Sequence, residues 1–520
     1  MVAPAAGPLD RISLAAQMVG GLTEQIRKAS SGRAGTLENF RPRRSSRFDE
    51  TRSTDLVMAR AEALAASDGN AASCVDSLAL NVAGPGLRPQ SYPNLKILGI
   101  EDDAAAAFAD SAEAAWEIWC AEADAADTDH FDDLQYQAIR SMFVTGEFLH
   151  LPVWLDPAEE PDRTFGLALQ ALHPARLRTP SDKLTDPTIR GGVQLGIGNR
   201  PLGYWIAEPR EGRLLSGLSS KDFRYVPRKA GHRFTCLHCR HSNMPEQIRG
   251  ESILSPAMKQ FRDLADYVDY ELVGALIAAC FTVFIESPGN TMGDQTLPGH
   301  AVPGQDRGAP YPQELNPGLV VKGKPGDKIS TISNNRPAPS FEAFYTRMLR
   351  AASASTGQPY EIVAKDFSKT NYSSARAALL EVWKLHTMYQ DWFVRRYLQR
   401  IWMMVLEEAF LRGLLVIPAG APGFYGAMRA WGAAVWTRPP RGNVDPVKER
   451  KSDQMGLDTL TETRTSICHA RGQDWDAVLR TRSREDRAIR AAGLVIPASS
   501  GQKSAPAEQN DEPEEEVPAS

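Results

Sequence analysis

The stretch SILSPAMKQFRDLADYVDYELVGALIAACFTVFI, residues 252–285, decides how the rest of the chain is read. Leu254, Met258, Phe261, Leu264, Val268, Leu272 and Leu276 recur at three- and four-residue spacing, which predicts one long helix over 252–285. Pro256 falls in its opening turns, where a missing N–H costs least. About thirty residues at ~1.5 Å each reach ~45 Å, more than most globular domains need. A helix that long serves as a strut or packs against copies of itself. Its most apolar part, 272–285, is shorter than the roughly 18 residues a bilayer span requires, so a buried helix is expected and no membrane partner.

Upstream of this helix the pattern is helical first and alternating afterwards. Residues 54–82 carry Leu56, Ala59, Ala63, Ala66, Val75, Leu78 and Leu80 at helical spacing and stop at Gly84-Pro85-Gly86. A second helix is expected over 102–126, with Phe108, Trp116 and Trp119 on its apolar side, and a third over 131–146. Then the period shortens. Residues 147–154, 165–177, 191–195, 203–208 and 223–227 read as strands punctuated by Pro and Gly, so 147–245 is mostly β and the class is α+β, with helix dominant overall. Residues 1–50 lack pattern and hold Arg41, Arg43, Arg44 and Arg47, with Arg52 just beyond. A solvated arm is expected there, with contact to a partner subunit or nucleic acid as the alternative.

Downstream, 287–318 is irregular and rich in Pro and Gly. Helix resumes over 341–355 and again over 373–414, the latter with Leu380, Trp383, Met388, Trp392, Tyr397, Ile401 and Val405. Three short capped helices follow, starting at Asp445-Pro446, near Thr461 or Thr463, and at Asp474. Residues 496–520 are acidic and poor in apolar residues, which predicts a disordered tail.

Composition excludes extremes: 42% hydrophobic and 24% charged residues describe a folded soluble chain with length for several cores. The formal charge is only -5, and Glu508, Asp511, Glu512, Glu514, Glu515 and Glu516 account for more than all of it. Residues 1–503 therefore sum to about +1, neither a basic surplus for tight DNA binding nor a field that forbids it. Cys74, Cys120, Cys236, Cys239, Cys280 and Cys468 are too scattered for a disulfide framework, which points to a reducing compartment. The N-terminus has no basic and apolar regions of a signal peptide.

Motifs that promise chemistry fail on inspection. Cys236-Leu237-His238-Cys239-Arg240-His241 offers four soft ligand types, but six consecutive residues cannot easily wrap one ion and no second pair completes the set. In a strand, Cys236 and His238 face one way and Cys239 and His241 the other. Gly318-Leu319-Val320-Val321-Lys322-Gly323-Lys324-Pro325 nearly fits a phosphate loop, yet Pro325 replaces the hydroxyl that would ligate magnesium. Glu407-Glu408 reads as a solvated helix face rather than a catalytic pair, and His386 as a core or edge histidine. No catalytic residue, cofactor or metal is expected.

Four segments in order resemble the tailed-phage portal proteins of the lambda type. Gln247, Arg249, Gly250 and Ser252 match a Q-x-R-G-x-S stretch before the family's long helix, with His238 on a strand just upstream. Phe341, Phe344, Leu349, Arg350, Ala352, Gly357, Pro359 and Tyr360 match F-x-x-F…LR-x-x-A…G-x-P-Y. Asn371, Tyr372, Ser373, Ser374 and Arg376, with Glu381 and Trp383, resemble N-Y-S-S-x-R…E-x-W. Trp436, Pro439, Gly442, Asp445, Pro446, Lys448 and Glu449 resemble W-x-x-P…G…D-P-x-K-E. Order and spacing agree over about 50–490; 287–314 and the N-terminal arm carry no motif.

The resemblance implies a portal fold: an arm at 1–50, an outer α+β wing at 51–245, a stem helix at 246–286 and an irregular clip at 287–340. A returning stem helix at 341–360, a tunnel-loop region with wing helices at 361–444, crown-side helices at 445–495 and the acidic tail at 496–520 complete it. It further implies a ring-shaped homododecamer at one capsid vertex of the virion, made in the bacterial host cytoplasm, through which double-stranded DNA is packaged and ejected. Partners would be the terminase large subunit, head-tail connector or adaptor proteins, and the major capsid and scaffold proteins. Lys365 and Lys369 are the DNA-facing tunnel candidates; sparse, sequence-blind phosphate contacts suit a channel through which DNA must slide. Two alternatives remain: another phage DNA-packaging protein with its own nuclease or ATPase activity, and a metal-binding adaptor built on residues 236–241.

Overall fold

The computed structural model describes residues 47–156, 158–208, 218–280, 284–286, 328–330, 341–368, 372–440 and 446–492, except the side chains of 47–53, 277–286, 328–330 and 372–375. Most of the expected arm and clip, Lys369, Asn371, Asp445 and the acidic tail lie outside these residues.

The chain starts with α1 (Arg47–Ser67) and α2 (Gly69–Val82). One helix was expected over 54–82, and the break has a local cause. Asp68 adopts an extended conformation and its carboxylate accepts a hydrogen bond from Ala71 N at 2.7 Å, capping α2 afresh. Helix α1 also starts inside the stretch read as an arm. After β1 (Pro89–Ser91) come α3 (Asp102–Ala121) and α4 (Phe131–Thr145), which ends at Gly146 in the left-handed region, φ 90°.

The strands are β2 (Glu147–Trp154), β3 (Leu167–Leu172), β4 (Ile189–Arg190), β5 (Val193–Leu195), β6 (Pro201–Ala207), β7 (Phe223–Pro227), β8 (Lys229–Ala230), β9 (Arg233–Phe234) and β10 (Leu237–Arg240). Of these, β2, β3, β5, β6 and β7 fall where the alternation predicts strands and β10 where the resemblance does, while β4, β8 and β9 are two-residue pieces too short for the pattern to mark. Antiparallel pairing gives one sheet in the order β10-β2-β3 and a second in the order β4-β5-β6-β7, with β8–β9 as a small ribbon. Both faces of β2 are buried. Phe148 joins the main core beneath the helices, while Leu149 and Leu151 join a smaller core with Val193, Tyr204 and Ile206 of the second sheet.

The long helix is shorter than its periodicity. It is α5 (Met258–Cys280), and β11 (Phe284–Glu286) pairs antiparallel with β12 (Lys328–Ser330) beyond it. Pro256 disfavours helical geometry at Ser255, so 253–257 form tight turns, with Ala257 N donating to Leu254 O at 2.9 Å, before the helix starts. The expected burial of 272–285 also fails where side chains are described: Leu272, Val273 and Leu276 are 60%, 50% and 58% exposed.

Helix α6 (Phe341–Ser355) packs along α5, with Tyr267 stacked on Phe341 at 5.5 Å and edge-on to Phe344 at 5.0 Å. After α7 (Tyr360–Ala364), the expected single helix over 373–414 divides into α8 (Tyr372–Phe393), a π turn (Val394–Leu398) and α9 (Gln399–Leu411). The extra residue per turn keeps Phe393, Tyr397, Leu398, Ile401 and Trp402 all buried along one line. Trp402 meets Trp116 edge-on at 5.5 Å, and Trp116 meets Phe131 at 5.2 Å, at the centre of the main core. Strand β13 (Ala434–Trp436) returns to pair with β1. Three peripheral helices, α10 (Pro446–Asp458), α11 (Arg464–Ala470) and α12 (Trp475–Ala491), close the described chain, with Thr463 and Asp474 capping the last two as anticipated.

Candidate functional site: a fixed joint beneath an exposed apolar helix face

The matched segment Gln247–Ser252 lies where the first sheet hands the chain to α5, and Gln247, Arg249, Gly250 and Ser252 each have a task there. Gln247 Oε1 accepts from Asn243 N at 2.8 Å, tightening the turn after β10. Arg249, 7% exposed, spends all five N–H groups inside the protein. Its Nε donates to Glu147 Oε1 at 2.6 Å, Nη1 to Leu177 O at 2.7 Å and Gly191 O at 2.9 Å, and Nη2 to Pro174 O at 3.2 Å and to Glu147. Glu147, fully buried, turns its second oxygen to His238 Nε2 at 2.9 Å and Gly250 N at 2.8 Å. Burial alone would raise the Glu147 carboxyl, but Arg249 and then His238 outweigh it and hold it well below the usual carboxylate range. Burial lowers His238 despite the neighbouring carboxylate, so the imidazole is neutral and donates from Nε2. One carboxylate and one guanidinium therefore cancel inside the joint.

Backbones cross beside this pair. A Cβ on Gly250 would sit 2.0 Å from Gly146 O, and one on Gly146 would sit 2.2 Å from Glu251 N. Only glycine permits that approach, which fixes the exit of α4 against the entry to α5. Ser252 completes the joint, its Oγ donating to Phe143 O at 3.3 Å and accepting from Leu254 N at 3.1 Å.

The Cys236–His241 segment separates as alternation requires. Cys239 lies in the main core and Cys236 in the smaller one, while His238 engages Glu147 and His241 packs edge-on against Tyr389 at 5.2 Å. Burial raises both thiols, Cys239 to about 12, which disfavours the thiolates a zinc site needs. Among the described residues no three His, Cys, Asp or Glu groups are placed to hold a metal ion. No described helix is long and apolar enough to cross a membrane.

Glu407 and Glu408 overturn their reading as a solvated pair: they are 2% and 3% exposed. Glu408 accepts from Gly166 N at 2.7 Å and Leu167 N at 3.0 Å, holding the start of β3 to α9. Glu407 accepts from His232 Nε2 at 2.7 Å, Arg233 and Tyr425 Oη, tying β9 to the same helix. Both are anchors satisfied by backbone or cation, and the sequence hid this because apolar neighbours flank them only at helical spacing. His386 is buried, as anticipated, and burial lowers its pKa to about 4.

The remaining matched residues divide by position. Leu349 and Ala352 of α6 join the main core, and Gln358 Nε2 donates to Cys74 O at 2.7 Å, tying the Gly357–Tyr360 turn to α2. Lys365 is exposed, in the left-handed region with φ 53° at the end of α7. Tyr372, Ser373 and Ser374 fall in the first turn of α8, and Arg376 is exposed on it. Trp436 is buried, its Nε1 donating to Gln399 Oε1 at 3.2 Å, and Pro446 is exposed at the start of α10.

Above the joint, α5 carries Tyr270, Leu272, Val273 and Leu276 to the surface, 75%, 60%, 50% and 58% exposed. Neighbouring apolar side chains this open on one helix mark a surface made for contact.

The chain is 25% identical over 459 residues to portal protein B of Escherichia phage lambda, and 25% identical over 468 residues to the portal protein of Escherichia phage N15; each alignment covers 85% of both chains. Among solved structures it resembles a chain in the neck of a native gene transfer agent particle with C12 symmetry, at 14% identity and a TM-score of 0.41, covering 78% of this chain and 91% of that one. The family model for phage portal protein, lambda family, matches residues 33–390, and the chain belongs to that family.

Proposed function

We propose that copies of this chain close side by side into a ring at one capsid vertex, and that the shared bore conducts double-stranded DNA during packaging and ejection. The observation that carries this reading is the exposed apolar face of α5, which a second copy would cover. The joint at Glu147, Arg249 and Gly250 then holds a stem of α5 and α6 at one angle to an α+β wing, as a closed ring with identical contacts requires. Residues 287–340 would form the clip that docks the terminase and later the connector proteins, and α10–α12 the crown side. The protein acts as a structural conduit, with nucleotide hydrolysis left to the motor.

The test is Leu272→Asp with Leu276→Asp in the full chain, imaged by negative stain and sized by mass photometry. Annular particles are expected from the parent protein and monomers from the variant. Rings of unchanged yield from the variant would sink the assignment of this face. Lys365 and Lys369 are proposed to meet DNA in the bore: Lys365→Glu with Lys369→Glu should leave rings intact and alter DNA retention, and unchanged retention would remove them from that role.

A further inference from the structure

A second surface carries charge that the conduit does not use. Three cations surround the half-buried ring of Phe234: Lys229 Nζ lies 4.3 Å from its centroid, Arg400 Cζ 4.6 Å and Arg228 Cζ 5.6 Å. Burial and then the neighbouring Arg228, Arg400 and Arg200 lower Lys229; burial also lowers Arg400, with Arg228 and Arg396 adding to it. Among the described residues none of these five cations has a carboxylate partner, whereas nearby Arg233 is held by Glu407. Mutual repulsion at half-buried guanidiniums around an aromatic ring makes a seat for a polyanion.

The chain supplies one. Glu508, Asp511, Glu512, Glu514, Glu515 and Glu516 are not offset by any basic residue after Lys503. Residues 493–520 follow α12 and, extended at ~3.3 Å each, span ~90 Å, more than the roughly 60 Å breadth of a folded body of this size. A tethered segment competes at an effective concentration near the millimolar range, an advantage no free polyanion shares. We propose that the acidic C-terminal segment docks on the Arg228–Lys229–Arg400 surface, of its own chain or of a neighbouring copy, and shields it from other polyanions.

The experiment keeps the full chain. In one variant the six tail acids become Gln or Asn; a second adds Arg228→Gln, Lys229→Gln and Arg400→Gln; a third adds only the more exposed pair Lys229→Gln and Arg396→Gln, with circular dichroism reporting the fold of each. A fluorescent peptide of residues 504–520 is titrated at 50 mM salt and followed by anisotropy. The neutral-tail chain should bind it at least tenfold more tightly than the parent, whose surface is occupied, and both cation variants should lose that gain. Peptide that fails to bind the neutral-tail chain, or binds the cation variants equally, overturns the proposal. So does a 20-bp DNA duplex that binds parent and neutral-tail chains alike and is lost in the cation variants, since the surface would then serve nucleic acid.

Discussion

Arg249→Leu removes the guanidinium from the joint while keeping an apolar stem of similar reach. Glu147 would keep His238 and Gly250 N but lose its counter-charge, and breaking a buried ion pair from one side costs about 3–5 kcal/mol. The carbonyls of Leu177, Gly191 and Pro174 would each lose a buried donor, at about 1 kcal/mol apiece. The sum, about 6–8 kcal/mol, is comparable with the whole stability of many domains. Urea unfolding of the full chain, followed by the buried tryptophans Trp116, Trp119 and Trp402, is the assay. The pH response adds a sharper check. Burial is the first influence lowering His238, and the Arg249 charge adds to it against the pull of Glu147. Without Arg249 the folded-state pKa of His238 rises above its value in the parent. The stabilisation His238 then gives Glu147 is present at low pH and disappears as pH rises through that pKa, so the variant's deficit should be smaller at pH 5.5 than at pH 8. A double variant with Glu147→Gln should recover part of the loss. A deficit under 1 kcal/mol, or no coupling between the two positions, would refute the account of the joint.

Gly250→Ala should prevent folding or cost several kcal/mol, because its Cβ meets Gly146 backbone at 2.0 Å, whereas Gly231→Ala, with nothing within 4 Å but φ 63°, should cost only about 1 kcal/mol of left-handed strain; equal thermal shifts would contradict this. Burial lowers His150 and His386 from 6.5 to about 4 each, so the unfolded chain takes up protons first as pH falls from 7. Stability should drop by roughly 2 kcal/mol per histidine at pH 5, and the loss continues until about pH 4; His150→Gln with His386→Gln should flatten that slope in urea titrations. Glu408→Gln weakens the acceptor for Gly166 N and Leu167 N and its pairing with Arg412, which predicts a loss of about 2 kcal/mol. Faster hydrogen exchange at those two amides is the direct readout, and unchanged protection would count against the anchor.

The sequence by itself determined where helix yields to strand at Glu147, the positions of strands β2, β3, β5, β6 and β7, and that α5 is long and apolar, because period and turn residues are local properties. It also placed Cys236 and Cys239 on opposite faces, since a strand alternates whatever packs on it. The four matched segments pointed to the family before any contact was known. What local pattern could not decide was partnership. Glu147 stood out only as one acid opening an apolar strand, and its cation arrives from residue 249 across the fold. Glu407 and Glu408 read as solvated because nothing near them in sequence shows that backbone amides of 166 and 167 and the side chains of His232, Arg233 and Tyr425 converge there. The helix stops were missed for similar reasons: Asp68 caps anew, a π turn absorbs a residue at 394–398, and β11 finds β12 more than forty positions on. Tertiary structure alone decided that α5 turns Leu272 and Leu276 outward, because burial depends on what else occupies the space beside a helix and not on the helix itself.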